Sequence, residues 1–321
     1  MEPVAMVTSA VTIHFLCSDN DCDDTMTSSD QLMTVFTGII FPIFCGVNIV
    51  GNSINVGVFT RMGAGPCRLL LRALAVAEAT HGACFLAQKL LLAYCGATCV
   101  PCLVIGAEKV GDLAFYTANY IVVGVSVFRC IAIVAPLRMR VLCTLERARH
   151  VIVASAICAA VKEIPYWVRI VYPYDPTLRV LEPINQTLGR LLPCAAVAAT
   201  TGVAVVSYRR LRGQLGVALR QRRRHRADDH VVRMLLVLLA IFVVTNVYCA
   251  ALILLRIYDV QAVAPLLFTE PIAIGVNSCV NFFLYVAMMP DYRAALRASA
   301  PLLLAYVPVG HAWSENLRAA N

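Results

Sequence analysis

Seven long apolar blocks divide this chain, and they constrain its fold more than any other feature. They cover residues 32–60, 69–94, 104–134, 151–172, 188–208, 231–258 and 264–288. Each exceeds the roughly 18–20 residues that a helix needs to cross the hydrocarbon core of a bilayer. No water is available in that core to satisfy backbone amides, so apolar spans of this length form helices. The sequence therefore predicts an all-α membrane protein, a bundle of seven transmembrane helices.

The composition excludes several other classes of protein. Only 14% of the 321 residues are charged and 60% are hydrophobic, whereas a soluble domain carries about 25% charged residues. The net charge of +8 reflects arginines clustered in short segments between the blocks, so we expect no nucleic-acid partner. The fourteen cysteines lack zinc-site spacing, and most lie inside apolar blocks as small buried hydrophobes. No cofactor or metal is expected.

The distribution of basic residues predicts the orientation. Arginines crowd the segments 61–68, 135–150 and 209–230, whereas residues 1–31 contain five aspartates and no Lys or Arg. Cytoplasmic loops carry such an excess, so we place the N-terminus outside the plasma membrane. We predict an extracellular segment at 1–31, a seven-helix domain at 32–288, and a helix 8 with a short cytoplasmic tail at 289–321. The basic run 209–226 would face anionic lipid of the inner leaflet.

A glycosylation sequon lies between the fourth and fifth blocks. The residues are Asn185-Gln186-Thr187, in a loop that this orientation places outside. Asn-X-Thr in such a loop accepts an N-linked glycan, which makes Asn185 a candidate glycan site.

Polar residues inside the apolar blocks mark candidate sites, because they are costly in lipid unless they face the bundle. Asn52 lies in the first block and Glu78 in the second. For Glu78, a functional carboxyl and a protonated structural one are equal alternatives. A second group would line a polar outer pocket, or would form ion pairs that stabilise the bundle. Its members are Gln88, Lys89, Lys109, Asp112, Tyr116 and Glu270.

Two motifs carry a resemblance to a known family. The third block ends in RCIAIVAPLR, residues 129–138, and the seventh contains NSCVNFFLY, residues 277–285, followed by Tyr292-Arg293. In these runs the chain resembles the class A, rhodopsin-like G-protein-coupled receptors. Members of that family end helix three with an acid-Arg-Tyr motif and carry Asn-Pro-x-x-Tyr in helix seven.

Several switch positions of the family are altered here. Phe128 and Cys130 replace the acid and the tyrosine beside Arg129, and Phe282 replaces the proline of helix seven. The run TNVY at 245–248 stands where the family has Cys-Trp-x-Pro.

The resemblance implies an activity. Family members act as exchange factors for heterotrimeric G proteins, and the α-subunit's C-terminal helix meets the arginine that matches Arg129. Two acids hold this arginine in the inactive state. Phe128 cannot replace the first, and Asp228 stands at the register of the second, so we predict high basal activity. The matching switch positions are Arg129, Phe128, Cys130, Asp228, Tyr208, Asn281 and Tyr285.

The resemblance also implies a polar core and a disulfide. The core residues are Asn52, Glu78, Asn277, Ser278 and Asn281. Family members bind sodium there, but the two helix-three positions are Ala114 and Ala118, which favours a protonated, hydrogen-bonded Glu78. The family's outer disulfide has no counterpart, since residues 172–187 contain no cysteine. We predict a bridge from Cys17 or Cys22 to Cys99 or Cys102, because the outer compartment is oxidising.

The altered motifs are similar to those of gammaherpesvirus-encoded orphan receptors. Those receptors signal constitutively through inhibitory-class G proteins and lower surface MHC class I, which implies the same partners here. A ligand-dependent, diverged invertebrate peptide receptor is an alternative, as is a non-signalling adaptor that captures host surface proteins. A transporter is disfavoured because repeat halves are absent from the sequence. No nucleophile–base or metal constellation indicates an enzyme.

Overall fold

A computed structural model describes residues 36–95, 101–172, 176–215, 222–257 and 269–306 of the chain. A π-helical turn, Phe36–Ile40, leads into the first of eight helices, and a four-residue helix, Met139–Leu142, lies between the third and fourth. The eight helices are α1 Phe41–Arg61, α2 Pro66–Cys95, α3 Pro101–Val134, α4 Leu145–Val171, α5 Pro176–Leu215, α6 Arg222–Ile257, α7 Thr269–Met288 and α8 Pro290–Tyr306.

Seven of these helices match the seven apolar blocks. Helices α1 to α7 are each long and apolar enough to cross a membrane, and the described residues contain no β-strand. The prediction of an all-α, seven-helix membrane bundle is therefore confirmed. Helix α8 follows α7 after a single intervening residue, Met289, where the sequence predicted a short cytoplasmic helix.

Several helices extend beyond the blocks that predicted them. Helix α4 begins at Leu145 rather than at 151, because the Thr144 hydroxyl accepts a 3.2 Å hydrogen bond from the Arg147 amide and caps the first turn. Helix α5 begins at Pro176 rather than at 188. Proline is favoured at the first helical position, where its missing N–H would have no partner. Hydropathy detects only the part of a helix that lies in lipid. The predicted starts of α4 and α5 therefore lie several residues after the observed ones.

The largest hydrophobic core lies where α1 ends and α2 begins. It joins Phe59 of α1, Leu70 of α2 and Phe128 of α3 to Tyr285 and Tyr292 of α7 and α8. Tyr292 is fully buried, and its ring lies 5.4 Å from Phe59 and 5.8 Å from Tyr285, centroid to centroid. These aromatic contacts anchor α8 to the bundle.

Two glycines allow α1 to approach its neighbours closely. A Cβ atom added to Gly82 of α2 would lie 2.7 Å from Asn48 Nδ2, and one added to Gly51 of α1 would lie 3.3 Å from Phe282 Cβ. The first distance is shorter than van der Waals contact allows. The α1–α2 spacing therefore depends on the absence of a side chain at Gly82.

We expect Gly82→Ala to lower the free energy of unfolding by about 1–3 kcal/mol, because the added methyl group overpacks the α1–α2 contact. The measurement is thermal unfolding of the purified protein in detergent. Gly57→Ala is the matched control, since a Cβ there would meet nothing within 4 Å and alanine favours a helix by about 0.5–1 kcal/mol over glycine. Equal destabilisation by both substitutions would contradict the steric explanation.

Candidate functional site

Three asparagines on one face of α1 form a hydrogen-bonded ladder. Asn48, Asn52 and Asn55 are spaced by four and then three residues, which places them on the same side of a helix. Asn52 Nδ2 donates to Asn48 Oδ1 at 2.5 Å, and Asn55 Nδ2 donates to Asn52 Oδ1 at 3.1 Å. All three side chains are buried. The sequence analysis identified only Asn52 of the three.

The ladder connects α1 to three other helices. At one end, Asn48 Nδ2 donates to the backbone oxygen of Glu78 at 3.0 Å, and Asn281 Nδ2 donates to Glu78 Oε1 at 2.7 Å. At the other end, the Tyr292 hydroxyl donates to Asn55 Oδ1 at 2.6 Å. Glu78 Oε2 is buried without a hydrogen-bond partner among the described atoms. A continuous polar path thus runs from α2 and α7 along α1 to α8.

Arg129 lines a small cavity next to this path. The cavity has a volume of about 50 Å³, which is room for a few waters at roughly 10–15 Å³ each. Its polar wall consists of Arg129, Ser126, Thr201, Asn277, Asn281 and Tyr285. The structure therefore brings Arg129 of α3 together with Asn277, Asn281 and Tyr285 of α7. Ser278 is buried but does not line the cavity.

The residues that flank Arg129 do not hold it by charge. Phe128 is buried in the hydrophobic core described above, and Cys130 is half-buried. No ion pair joins Arg129 to a carboxylate among the side chains that the structure describes. Asp228 lies in α6, but its side chain is outside the described set, so its pairing with Arg129 stays a prediction. Tyr208 is half-buried in α5.

The two alanines at the positions that the resemblance assigns to sodium ligands lie in different surroundings. Ala118 is buried in the hydrophobic core, and Ala114 lines a groove on the outer surface of α2 and α3. Asn119 is buried, and its Nδ2 has no partner among the described atoms. Bound sodium and a protonated Glu78 both stay untested.

Charged side chains at the other end of the bundle pair with one another. Lys109 Nζ of α3 lies 2.7 Å from Asp112 Oδ2 and 4.0 Å from Glu163 Oε2 of α4. Lys162 Nζ lies 2.9 Å from Glu163 Oε1 and 3.2 Å from the centre of the Tyr116 ring. One ion pair, Lys109–Glu163, and the cation–π contact of Lys162 with Tyr116 therefore join α3 to α4.

A second ion pair joins α5 to α7. Arg190 Nη2 lies 2.5 Å from Glu270 Oε1, and the guanidinium lies 5.0 Å from the centre of the Phe115 ring. Arg190 is buried, and its Nε and Nη1 atoms have no hydrogen-bond partner among the described residues.

The structure divides the six residues of the predicted outer pocket. Four of them belong to the ion pairs and cation–π contacts above: Lys109, Asp112, Tyr116 and Glu270. Gln88 lies apart from these and donates from Nε2 to Glu108 Oε2 at 2.9 Å. Lys89 Nζ lies 5.9 Å from the centre of the Phe41 ring. Sequence analysis missed four members of the cluster, although a charge inside an apolar span is itself a signal. They are Glu108, Lys162, Glu163 and Arg190.

The predicted loop position of the sequon is wrong. Asn185 lies inside α5, is half-buried, and donates a 2.6 Å hydrogen bond from Nδ2 to the Lys162 backbone oxygen. Thr187 of the same sequon is buried. A helical, hydrogen-bonded asparagine presents no exposed loop to a glycosylating enzyme, so this placement argues against a glycan on Asn185.

The cysteines of the predicted disulfide fall outside the described residues or side chains. They are Cys17, Cys22, Cys99 and Cys102. The nine cysteines whose side chains are described are unpaired, so the outer bridge stays a prediction.

Comparison with solved structures identifies the fold. A crystal structure of squid rhodopsin superposes on this chain with a TM-score of 0.70 and 16% sequence identity, over 90% of this chain and 92% of that chain. No protein-family model and no curated protein sequence matches the chain. The likeness establishes a rhodopsin-like arrangement of the seven helices.

We expect Tyr292→Phe to destabilise the protein by about 1–3 kcal/mol, because it keeps the aromatic packing and leaves Asn55 Oδ1 buried without its donor. Thermal unfolding in detergent measures the change. Tyr248→Phe is the matched control, since the Tyr248 hydroxyl bonds Thr269 at an exposed position and exposed changes cost at most about 0.5 kcal/mol. An equal loss of stability in Tyr292→Phe and Tyr248→Phe would show that burial of the Tyr292–Asn55 hydrogen bond does not increase its contribution to stability.

We expect Arg190→Met and Glu270→Gln to be strongly non-additive. Each single change leaves the other charge buried or half-buried without its partner, whereas the double change removes both. A double-mutant cycle on thermal stability should give a coupling of about 0.5–3 kcal/mol. Additive losses would mean that the two groups do not interact in solution.

Proposed function

We propose that this protein is a G-protein-coupled receptor that activates heterotrimeric G proteins without requiring a ligand. The rhodopsin-like fold supports the receptor class. The observation that carries the ligand-free activity is Arg129, which lines a cavity at one end of α3 and has no ion pair among the described side chains.

The proposed mechanism is an outward movement of α6 that opens the Arg129 cavity to the C-terminal helix of a G-protein α-subunit. Helix α6 contributes Leu238, Leu239 and Phe242 to the cavity wall. Their dispersion contacts are individually weak and have no fixed partner, so movement of this part of α6 away from Arg129 breaks no ion pair among the described side chains.

The energy involved is small. The two states of such a switch typically differ by a few kcal/mol. Loss of one holding interaction worth about 1.4 kcal/mol raises the active fraction about tenfold. The replacement of the family's acid by Phe128 is a loss of this kind.

The outer end of the bundle supports independence from a ligand. Lys109, Lys162 and Arg190 each have an acidic partner on the chain itself. A charged ligand would have to displace these internal pairs before it could bind the same groups. The protein's own carboxylates thus neutralise these three cations.

The finer parts of the proposal rest on the sequence. The altered switch motifs favour a virus-encoded receptor that couples to inhibitory-class G proteins and lowers surface MHC class I. The arginine-rich segments favour a plasma-membrane protein with its N-terminus outside and the 209–226 run on anionic inner-leaflet lipid.

A second candidate is a non-signalling adaptor that captures host surface proteins. The observation that favours it is Phe128-Arg129-Cys130, in which both neighbours of the arginine differ from the family motif. An adaptor of this kind would have the same fold but would not stimulate nucleotide exchange on a G protein.

The deciding measurement is ligand-free GTPγS loading of an inhibitory-class G protein in membranes that contain the full chain. We expect exchange above that of empty membranes, and a loss of at least about tenfold in Arg129→Ala, since the guanidinium meets the G-protein helix. The matched control is Arg61→Ala, an exposed arginine at the end of α1, which should exchange as the wild type does.

Absence of basal exchange in the wild type would reject ligand-free activity and leave the ligand-dependent receptor or the adaptor. Unchanged exchange in Arg129→Ala would reject the role of Arg129. Surface expression of each variant, measured with an N-terminal tag, separates loss of coupling from loss of protein.

A further inference from the structure

An open groove of about 490 Å³ runs along the outer surface of α2, α3 and α4. Its volume falls in the range that proteins use for small-molecule sites, about 300–1,000 Å³. On α2 it follows one helix face from Leu69 through Arg72 and Val76 to Thr80, with the three- and four-residue spacing of a single side. Arg72 and Thr80 are eight residues apart, about 12 Å along the axis, which is close to the depth of one leaflet of a roughly 30 Å core.

The walls of the groove are apolar. Val76, Val110 and Leu113 are exposed there. The two hydroxyls in the groove, Thr80 and Thr117, donate to backbone oxygens of their own helices at 2.8 and 2.7 Å. The groove therefore presents hydrocarbon and no free hydroxyl donor along this length.

Arg72 is the charged residue that lines the groove. It is half-buried, and its guanidinium has no hydrogen bond or ion pair to any of the described residues. It lies six residues inside α2, within the apolar span that begins at Pro66. A cation at this depth is costly in lipid unless it finds an anion or reaches the interface.

The end of the groove that carries Arg72 lies at the same end of the bundle as Arg129. Ile121 of α3 and Ile152 of α4 line this end, and Arg149 lies one turn before Ile152 and is exposed. Side chains on a helix tilt toward its N-terminus, so Arg72 of α2 and Arg149 of α4 both point to the end at which these helices begin. In the orientation proposed above, this end faces the inner leaflet.

We propose that this groove binds one anionic phospholipid, with an acyl chain against Val76 and Leu113 and the phosphate on Arg72. Such a lipid supplies both the hydrocarbon that covers the groove and the anion that the guanidinium lacks. A guanidinium pairs with phosphate by charge-assisted, often bidentate hydrogen bonds. A sterol would cover the walls and leave the charge unpaired, and a helix of a second copy of the chain would need an acid at the same depth.

The test is native mass spectrometry of the full chain. The protein in detergent is titrated with phosphatidylserine or with phosphatidylcholine of the same acyl chains, and the lipid-bound fraction is measured after release from the detergent. We expect the first bound phosphatidylserine to bind about tenfold more tightly than phosphatidylcholine, and Arg72→Gln to abolish this preference. Val76→Trp should fill the groove and weaken binding of both lipids. Soluble glycerophosphoserine should not compete, because it has no acyl chain.

Matched controls separate this site from general attraction to basic surfaces. Arg61→Gln removes an exposed arginine outside the groove, and Val50→Trp adds the same bulk at an exposed site on α1. Both should bind phosphatidylserine as the wild type does. If Arg61→Gln weakens binding as much as Arg72→Gln, or if Val76→Trp changes nothing, the groove is not the site. G-protein exchange is not part of this readout, so failure here leaves the proposed receptor activity untouched.

Discussion

The asparagine ladder of α1 is the interaction on which the rest of the bundle depends. An amide side chain in a membrane-spanning helix is costly unless it is paired. Each of the three asparagines bonds to the next one along α1. The contacts of Asn48, Asn52 and Asn55 therefore determine the rotation of α1 about its own axis. The same requirement explains the glycine at position 82, where any side chain would occupy the space of Asn48 Nδ2. It also explains why α8 docks where it does, since Tyr292 completes the ladder.

The two ends of the bundle are stabilised by different forces. At the end that carries Lys109 and Arg190, ion pairs such as Lys109–Glu163 and Arg190–Glu270 join helices directly, and a buried charge cannot leave its partner without a large cost. At the end that carries Arg129, α6 meets the cavity through leucine and phenylalanine side chains. Apolar contacts tolerate sliding better than ion pairs do, so the described contacts at this end of α6 resist movement less than the ion pairs at the other end do.

The sequence predicts the seven helices well because the bilayer sets their minimum length, and a long apolar run has no other solution there. It predicts helix ends poorly, since caps such as Thr144 act outside the lipid, where hydropathy carries no information. Ladder and ion-pair partners are harder still. Arg190 and Glu270 are 80 positions apart, and only the packing of α5 against α7 brings them together. Asn48 and Asn55 carry no distinguishing signal in the sequence, because single amides in apolar spans are common.

Phe128 stands where the resemblance to class A receptors would place an acid, and the difference concerns more than the charge beside Arg129. Phe128 is buried in the main core with Ala148 of α4, and Cys143 Sγ lies 3.9 Å from the Phe128 backbone oxygen. A carboxylate at this apolar position would need a partner to offset its desolvation, whereas a phenyl ring adds buried apolar area. Compared with an acid, Phe128 therefore offers Arg129 no ionic partner and adds apolar packing at the junction between α3 and α4. Under the proposed receptor function, Phe128 would favour activity without a loss of stability, because the missing carboxylate and the added packing act on different parts of the structure.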